Sequence, residues 1–389
     1  MTDGDLFGPV RLGPLTLRNR VIKAATYENA ARRGLVTDRL VDFHVRHARG
    51  GVGMTTVAYC AVAPEGRTDG HQIVWREEAR EGLVRLTDAV HAEGAAISAQ
   101  IGHSGPVGDP RATKMRALSP TPYFNPQAFT RTKQATKADL ERVVAQHGAA
   151  ARMAVETGFD AVEVHIGHNY LASSFLSPKL NKRKDEYGGS LENRARVARD
   201  SLRAVRDAVG DRIAIIAKMN MSDGVPGGFW LDEALRVVRW IEEDGTVDAL
   251  EMTEGSSLLN PMYLFRGEAP IAEFAKAVGE PVGTAVRLVG KRFLREYPYQ
   301  DLYLLEHARQ VRAAVDLPMV LLGGVTSAAG IRTAVDEGFE FVAMGRALLR
   351  EPDLVARMAS DSAARSLCIH CNRCMATIYG GTRCVLVEP

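Results

Sequence analysis

Residues 161–170 read Ala161-Val162-Glu163-Val164-His165-Ile166-Gly167-His168-Asn169-Tyr170. The opening half predicts a strand over 161–165 with Ala161, Glu163 and His165 on one face, because successive side chains of a strand point to opposite sides. His165 then ends the strand, and His168 and Tyr170 fall in the turn after it. Amphipathic helical patterns flank it over 137–157 and 191–209. Apolar residues there recur at the three- and four-residue spacing that buries one helix face.

The same alternation runs through the chain. Strands are predicted at 21–25, 53–58, 95–101, 213–219, 249–253, 319–323 and 341–344, with further helices at 81–93 and 231–243. With the strand at 161–165, that makes eight strands, most of them followed by a helix. This is the count that closes a parallel α/β barrel, the TIM (β/α)8 fold; an open doubly wound sheet is the competing arrangement. Two connections exceed an ordinary barrel loop. Residues 102–136 are rich in Pro, Gly and polar groups, and 254–301 carry Tyr263, Phe265, Phe274, Phe293, Tyr297 and Tyr299. Both follow a strand and so belong to the C-terminal face, where they are expected to act as lids or substrate walls. The expected organisation is a barrel over 1–364 and a Cys-rich segment over 365–389.

Composition narrows the class. The 389 residues carry 49 Lys+Arg against 47 Asp+Glu, a difference of +2, so no strong field favours nucleic acid or an anionic membrane. Hydrophobic residues at 46% and charged residues at 25% fit a globular enzyme and not a disordered chain. No apolar run reaches the roughly 18 residues of a membrane helix. The start, Met1-Thr2-Asp3-Gly4-Asp5, is acidic and unlike a signal peptide, and four of the five cysteines cluster near the C-terminus. Both suggest a reducing, cytoplasmic setting.

His165, His168 and Tyr170 offer two imidazoles and a phenol at one strand end. Such a set suits binding a carbonyl oxygen and delivering a proton. Structural histidines held by hydrogen bonds are the plain alternative, and two histidines without a carboxylate in the turn make a thin zinc site. Downstream stand Phe175-Leu176-Ser177-Pro178, Asn181, Arg183, Asp185 and Tyr187-Gly188-Gly189-Ser190-Leu191-Glu192-Asn193-Arg194. Here Gly188-Gly189 predicts a turn, Ser190 a helix N-cap and Glu192 a first-turn acid, all scaffold features.

This run resembles the signature of the Old Yellow Enzyme family of FMN-dependent oxidoreductases, and the likeness extends from Leu6-Phe7 to Gly345-Arg346. The resemblance implies an eight-stranded barrel with FMN at its mouth. It implies flavin contacts at Ala24, Ala25, Thr26, Tyr59 and Gln100, and a cation beside the flavin pyrimidine at Lys218. Such a charge stabilises anionic reduced flavin. The phosphate is expected at Gly323-Gly324 and Gly345-Arg346, where glycines permit close backbone approach and the guanidinium adds a donor pair. Two departures stand out: Tyr27 takes the place where Thr, Cys or His is usual near the flavin, so that its bulkier phenol either tunes the flavin or narrows the substrate pocket, and Asn169 replaces a glycine.

Cys368, Cys371, Cys374 and Cys384 form C-x2-C-x2-C-x9-C, a spacing open to a [4Fe–4S] cluster, a zinc site or unligated thiols. The segment resembles the cluster-binding stretch of the 2,4-dienoyl-CoA reductase and trimethylamine dehydrogenase branch, whose C-terminal nucleotide-binding domains are not in this sequence. A cluster here implies an external electron donor. Cys60 reads as an inert buried thiol.

The activity implied is transfer of hydride from NAD(P)H through FMN to the C=C of an α,β-unsaturated carbonyl compound. In this expectation His165 and His168 grip the carbonyl and Tyr170 gives the proton. The competing activities are an amine dehydrogenase or demethylase feeding a cluster, a flavin carrier without turnover, and a colourless phosphate-binding isomerase or aldolase. The expected partner is a small enone-type molecule, with homo-oligomerisation left open.

Overall fold

The computed structural model describes residues 6–125 and 128–387. The acidic start at 1–5, Pro126-Gln127 of the long third loop, and Glu388-Pro389 of the Cys-rich segment lie outside the described residues.

Eight parallel strands close a ring. In chain order they are β1 (Val21–Lys23), β2 (Met54–Ala61), β3 (Ala96–Gly102), β4 (Ala161–Ile166), β5 (Ala214–Ser222), β6 (Ala249–Glu254), β7 (Met319–Leu322) and β8 (Phe341–Met344). Each pairs with the next, and β8 returns to β1 in parallel register, Met344 opposite Lys23. Helices α1 (Asp38–Arg49), α2 (Arg80–His91), α3 (Lys137–Glu156), α4 (Leu191–Val209), α5 (Leu231–Asp244), α6 (Leu305–Arg312), α7 (Ala328–Asp336) and α8 (Arg346–Arg350) follow in alternation. This is the TIM (β/α)8 barrel expected from the sequence, and the open-sheet alternative is excluded by the β8–β1 pairing. A ninth short strand, Ile73–Val74, extends β2 on the outside.

The N-terminal end of the barrel is plugged by an antiparallel hairpin, Val10–Leu12 with Leu15–Leu17. Its Leu12 and Leu17 pack with Ile22, Ala161, Ala214, Ala249 and Phe341 inside the ring. A second apolar layer lies between strands and helices, with Val162, Val164, Leu202 and Val237 among its buried members. Burial at about 25 cal/mol per Å² of apolar surface makes these two layers the main stabilising term. Among the described residues no helix is long and apolar enough to cross a membrane.

Both long loops carry structure that the sequence did not reveal. The third loop pairs Leu118–Ser119 with Lys133–Gln134 and Phe124–Asn125 with Thr130–Arg131. The sixth connection folds into three helices, Pro261–Phe265, Ile271–Val278 and Val282–Phe293. Its aromatics serve as a small satellite core, where Phe265, Phe274, Phe293 and Tyr297 surround Met262, Leu294 and Met375 of the C-terminal segment.

The scaffold assignments of the 175–194 run hold. Ser190 caps α4 by accepting from the Asn193 amide at 3.3 Å, and Glu192 stands in the first turn. Gly189 has φ +77°, and a Cβ on Gly188 would meet the Arg183 carbonyl at 2.4 Å. Buried Asn181 donates to the carbonyls of Phe175 and Tyr187, both at 2.8 Å. Ser190→Ala is expected to lower unfolding free energy by about 1 kcal/mol, with Ser190→Gly costing only a few tenths. Urea denaturation of the two variants checks this, and equal losses would show that the cap is not the cause.

Candidate active site

The trio converges as its spacing predicts. His165 ends β4 facing inward, and its ring meets those of His168, Tyr170 and Tyr59 at centroid distances of 5.0, 4.6 and 6.3 Å. The Nδ1 of His168 and Nε2 of His165 are 3.3 Å apart, and His168 Nε2 meets Thr253 Oγ1 of β6 at 3.0 Å. The turn bearing them is left-handed at both His168 and Asn169, each with φ +58°. Asn tolerates that conformation because its short amide finds local partners. Asn169 donates to Asp223 Oδ1 at 3.0 Å, and Asn220 Oδ1 accepts the His168 amide at 3.1 Å. The substitution of Asn for the expected Gly therefore keeps the backbone turn and adds an anchor to β5.

Burial fixes the protonation states. His165 is held well below its ordinary pKa by desolvation, His168 and Lys218. His168 falls to about 3 through desolvation and Lys218. Burial and nearby Asp69 push the Tyr170 phenol up. Near neutral pH the site thus offers two neutral imidazoles and a protonated phenol, all competent donors.

The expected cofactor contacts gather around the same mouth. Ala24 is buried, its amide donating to Met344 at 2.9 Å, and Thr26 Cγ2 lies 3.6 Å from where a Gly345 Cβ would be. Tyr59 is buried beside Tyr170, their rings 5.3 Å apart, and its hydroxyl has no hydrogen-bond partner. Gly323 and Gly324 adopt φ +96° and +83°, and a Cβ on Gly324 would meet the Leu302 amide at 2.6 Å. Arg346 donates to the Arg266 carbonyl at 2.9 Å and to the Asn372 side chain, with its guanidinium 6.0 Å from the Tyr299 ring. Tyr299 in turn reaches the Gly324 carbonyl at 3.4 Å, so Arg346 and the glycine pair share one neighbourhood.

Lys218 and Gln100 are buried on their strands, and both have carboxylate partners. Lys218 is opposite His165 on β4 and Glu251 on β6 in register. Its ammonium donates to Glu251 and lies 3.5 Å from Glu163. The Gln100 amide nitrogen donates to the same Glu163 oxygen at 2.6 Å. These carboxylates raise the Lys218 pKa against desolvation. Tyr27 also differs from a simple pocket wall. It has φ +46°, its hydroxyl bonds Asp69, and its carbonyl accepts from Thr382 of the C-terminal segment.

The residues present fit an FMN. Ammonium and amide groups suit its pyrimidine edge, the buried His165 Nδ1 and Tyr59 hydroxyl lack partners among the described residues, and Gly323, Gly324 and Gly345 expose backbone beside the Arg346 neighbourhood, as a phosphate needs. The [4Fe–4S] or zinc expectation gains no support. Cys368, Cys371, Cys374 and Cys384 are free thiols. Among the described residues no group of three or more His, Cys, Asp or Glu is placed to hold a metal ion. Arg373–Tyr379 is wound as a 3-10 helix, Cys368 faces His370 at 3.8 Å, and Cys368, Cys371 and Cys384 are electrostatic neighbours of Cys374. Burial and its cysteine neighbours raise the Cys374 thiol to about 12, while Cys60, also buried, is pushed up as expected of an inert thiol.

Sequence spacing did not single out Glu163, Asn220, Asp223, Glu251, Thr253, Asp69 or Thr382 as site residues. Glu163 was visible as an inward residue of β4, but its partners lie on other strands.

A barrel with its reactive groups at the C-terminal strand ends is an enzyme architecture. Comparison gives the family: the chain belongs to the NADH:flavin oxidoreductase / NADH oxidase family, whose profile matches residues 5–257. This is the Old Yellow Enzyme group that the motifs resemble, and the chain is accordingly an oxidoreductase of a flavin-using family. It is 53% identical over 381 residues to 4,4'-dithiodibutanoate disulfide reductase of Rhodococcus erythropolis, covering 98% of this chain and 94% of that one. Among solved structures it resembles 2-naphthoyl-CoA reductase (TM-score 0.84, 24% identity, 99% of this chain and 57% of that one). It also resembles the old yellow enzyme homologue from Zymomonas mobilis (TM-score 0.73, 21% identity, 94% of this chain and 96% of that one). The chain spans about half the length, 52% and 53%, of two other curated relatives at 30% identity.

The buried histidines carry a pH signature. Near pH 7 they are neutral in both folded and unfolded chains; below about 6.5 the unfolded chain takes up protons that the folded site refuses. Stability is therefore lost as pH falls from there toward about 3 for His168. His168→Asn is expected to flatten this slope by up to about 1.4 kcal/mol per pH unit, read from denaturation midpoints across that range. An unchanged slope would mean that His168 titrates normally in the fold.

Proposed function

We propose that this protein is an FMN-dependent reductase that takes hydride from NADH or NADPH and delivers the electron pair to a small organic disulfide of the dithiodibutanoate kind. The observation that carries the substrate class is the 53% identity, over 98% of the chain, to the Rhodococcus disulfide reductase. The balance is one disulfide, one NAD(P)H and one proton giving two thiols and NAD(P)+. Bound FMN supplies the two-electron relay between nicotinamide and acceptor.

The chain's own residues meet the needs of that step. As the S–S bond breaks, charge develops on the departing sulfur. Neutral His165 and His168 offer N–H donors to it in a buried setting, where such donors act most strongly. Tyr170, kept protonated by burial, supplies a proton to the leaving thiolate. Lys218 and Gln100 would hold the flavin's pyrimidine edge, and Ala24, Ala25, Thr26, Tyr59, Gly323, Gly324, Gly345 and Arg346 its remaining contacts. Tyr27, tied to Asp69, walls the acceptor side.

A second reading keeps the cofactor and changes the acceptor to an α,β-unsaturated carbonyl compound. The convergence of His165, His168 and Tyr170 favours it, because an enolate oxygen and an α-carbon make the same two demands.

Anaerobic assays with NADH and NADPH discriminate. Two thiols formed per nucleotide oxidised with 4,4'-dithiodibutanoate, at a rate well above that with cyclohexenone, is the expected result; enone turnover without thiol release would replace the disulfide assignment with the second reading. The double variant His165→Ala, His168→Ala is expected to keep bound flavin and lose turnover by at least about 100-fold. Full activity in that variant would remove both imidazoles from the mechanism.

A further inference from the structure

The barrel interior next to the site holds more carboxylates than cations. Lys23 of β1 pairs with Glu28 at 2.8 Å. Lys218 of β5 pairs with Glu251 of β6 and with Glu163 of β4 at 3.5 Å. Among the described residues, Glu163 and Glu251 thus face the single ammonium of Lys218, an excess of 2 − 1 = 1, while Lys23 and Glu28 form a balanced pair. All five side chains are nearly sealed from solvent, at most 4% exposed.

Arg46 of α1 adds a cation beside Lys23 and His44, on the side of the balanced Lys23–Glu28 pair, and the groups facing Lys218 do not cancel its excess. Gln100 of β3 is a neutral donor to Glu163. His165 and His168 are held neutral by burial, as is His44 of α1, which lies 3.9 Å from Glu28. The register position beside Glu251 on β7 is apolar Val320. Lys23 reaches Glu163 only electrostatically from across the barrel. An uncompensated carboxylate in such a place is strongly unfavourable, and uptake of a proton relieves it.

The proton has one place to go. Both oxygens of Glu28 are occupied, one by Lys23 and the other by the Ala58 amide at 2.9 Å. By contrast Glu163 Oε2 and Glu251 Oε2 are fully buried and have no hydrogen-bond partner among the described residues. Burial and neighbouring Glu163 push the Glu251 carboxyl upward, in the direction that this count requires.

We propose that Glu163 and Glu251 hold a single proton between them and, through Lys218, set the charge presented to bound FMN. They are positioning residues; the inference rests on the FMN reading above. With the proton, Lys218, Glu163 and Glu251 sum to zero; without it they sum to −1. The protonated state favours a reduced, anionic flavin, and the ionised state opposes it.

The test has two arms on the full chain. In the flavin-stripped protein, infrared spectra at about pH 6, where ordinary carboxyls are ionised, are expected to show a protonated-carboxyl band. That band is lost in Glu251→Gln and again in Glu163→Gln, since either change removes the odd carboxylate. Circular dichroism establishes that each variant is folded, and two variants guard against one failing. No band difference between wild type and the folded variants overturns the shared proton.

In the flavin-loaded protein, the midpoint potential is followed by dye equilibration from about pH 5 to about pH 9. Wild type and Glu251→Gln are expected to coincide at the acid end, where both carry a neutral side chain at position 251. Above neutrality the wild-type potential falls below the variant's. Parallel curves throughout overturn the charge-setting role. A chain that binds no flavin defeats the proposed function instead, and the infrared arm still decides the proton.

Discussion

Closing eight parallel strands into one ring forces every second side chain into a shared interior, and this chain fills that interior in layers of different chemistry. At the N-terminal end the filling is apolar, with Leu12 and Leu17 of the hairpin against Phe341 and Ile22. At mid-height it is ionic, with Lys23, Glu163, Lys218 and Glu251. At the mouth it is aromatic, with His165, Tyr59 and Tyr170. Register joins the ionic layer to the aromatic one: His165, Lys218 and Glu251 are consecutive partners across β4, β5 and β6. A one-residue slip in any of these strands would turn its charge into the helix layer, where apolar residues such as Val164 now lie.

The ionic layer dictates the state of the aromatic one. Lys218 lies close enough to disfavour a second positive charge on either imidazole, and desolvation adds to the same effect. Neutral imidazoles then remain donors without carrying charge of their own, so charge arriving at the mouth is met by oriented dipoles that need no rearrangement. The turn that carries them is equally fixed. Asp223 accepts from Asn169, Asn220 and the Phe229 amide, which joins the His168–Asn169 turn to the end of β5 through buried bonds.

Features set by local sequence were legible. The strand over 341–344 matches β8 at both ends, and the trio's inward placement follows from period two in β4. Ser190 and Gly188-Gly189 gave away the start of α4 because caps and tight turns draw on a few neighbouring residues. Features set by distant partners were not. Lys218 stands 33 residues from Glu251 in sequence, and nothing in either strand marks the pair. The helices over 261–293 escaped notice because Gly279 and Pro281 punctuate them and their apolar face meets Met375, remote in the chain. The spacing of the C-terminal cysteines was legible, while the 3-10 winding of 373–379, which sets Met375 into the satellite core, was not, because its partners Met262 and Leu294 are remote in the chain.

In the proposed reaction a departing thiolate and a forming enolate make the same demands, a neutral N–H at the negative atom and a proton from a phenol, so His165, His168 and Tyr170 would suit either acceptor. Discrimination then belongs to the groups around the trio. Tyr27 is the strongest of these, because it is held at both ends: its hydroxyl is bonded to Asp69, and its carbonyl accepts from the Thr382 hydroxyl. The Thr382 amide donates to the next carbonyl, Glu28, at 2.9 Å, while Asn372 of the same segment donates to Arg266 and Glu268 and accepts from Arg346. One stretch of chain therefore touches both the end of β1 and the start of α8. A left-handed tyrosine pinned in this way cannot move without breaking bonds on two elements at once, so if Tyr27 walls the acceptor as proposed, its position is set by the C-terminal segment as much as by the barrel.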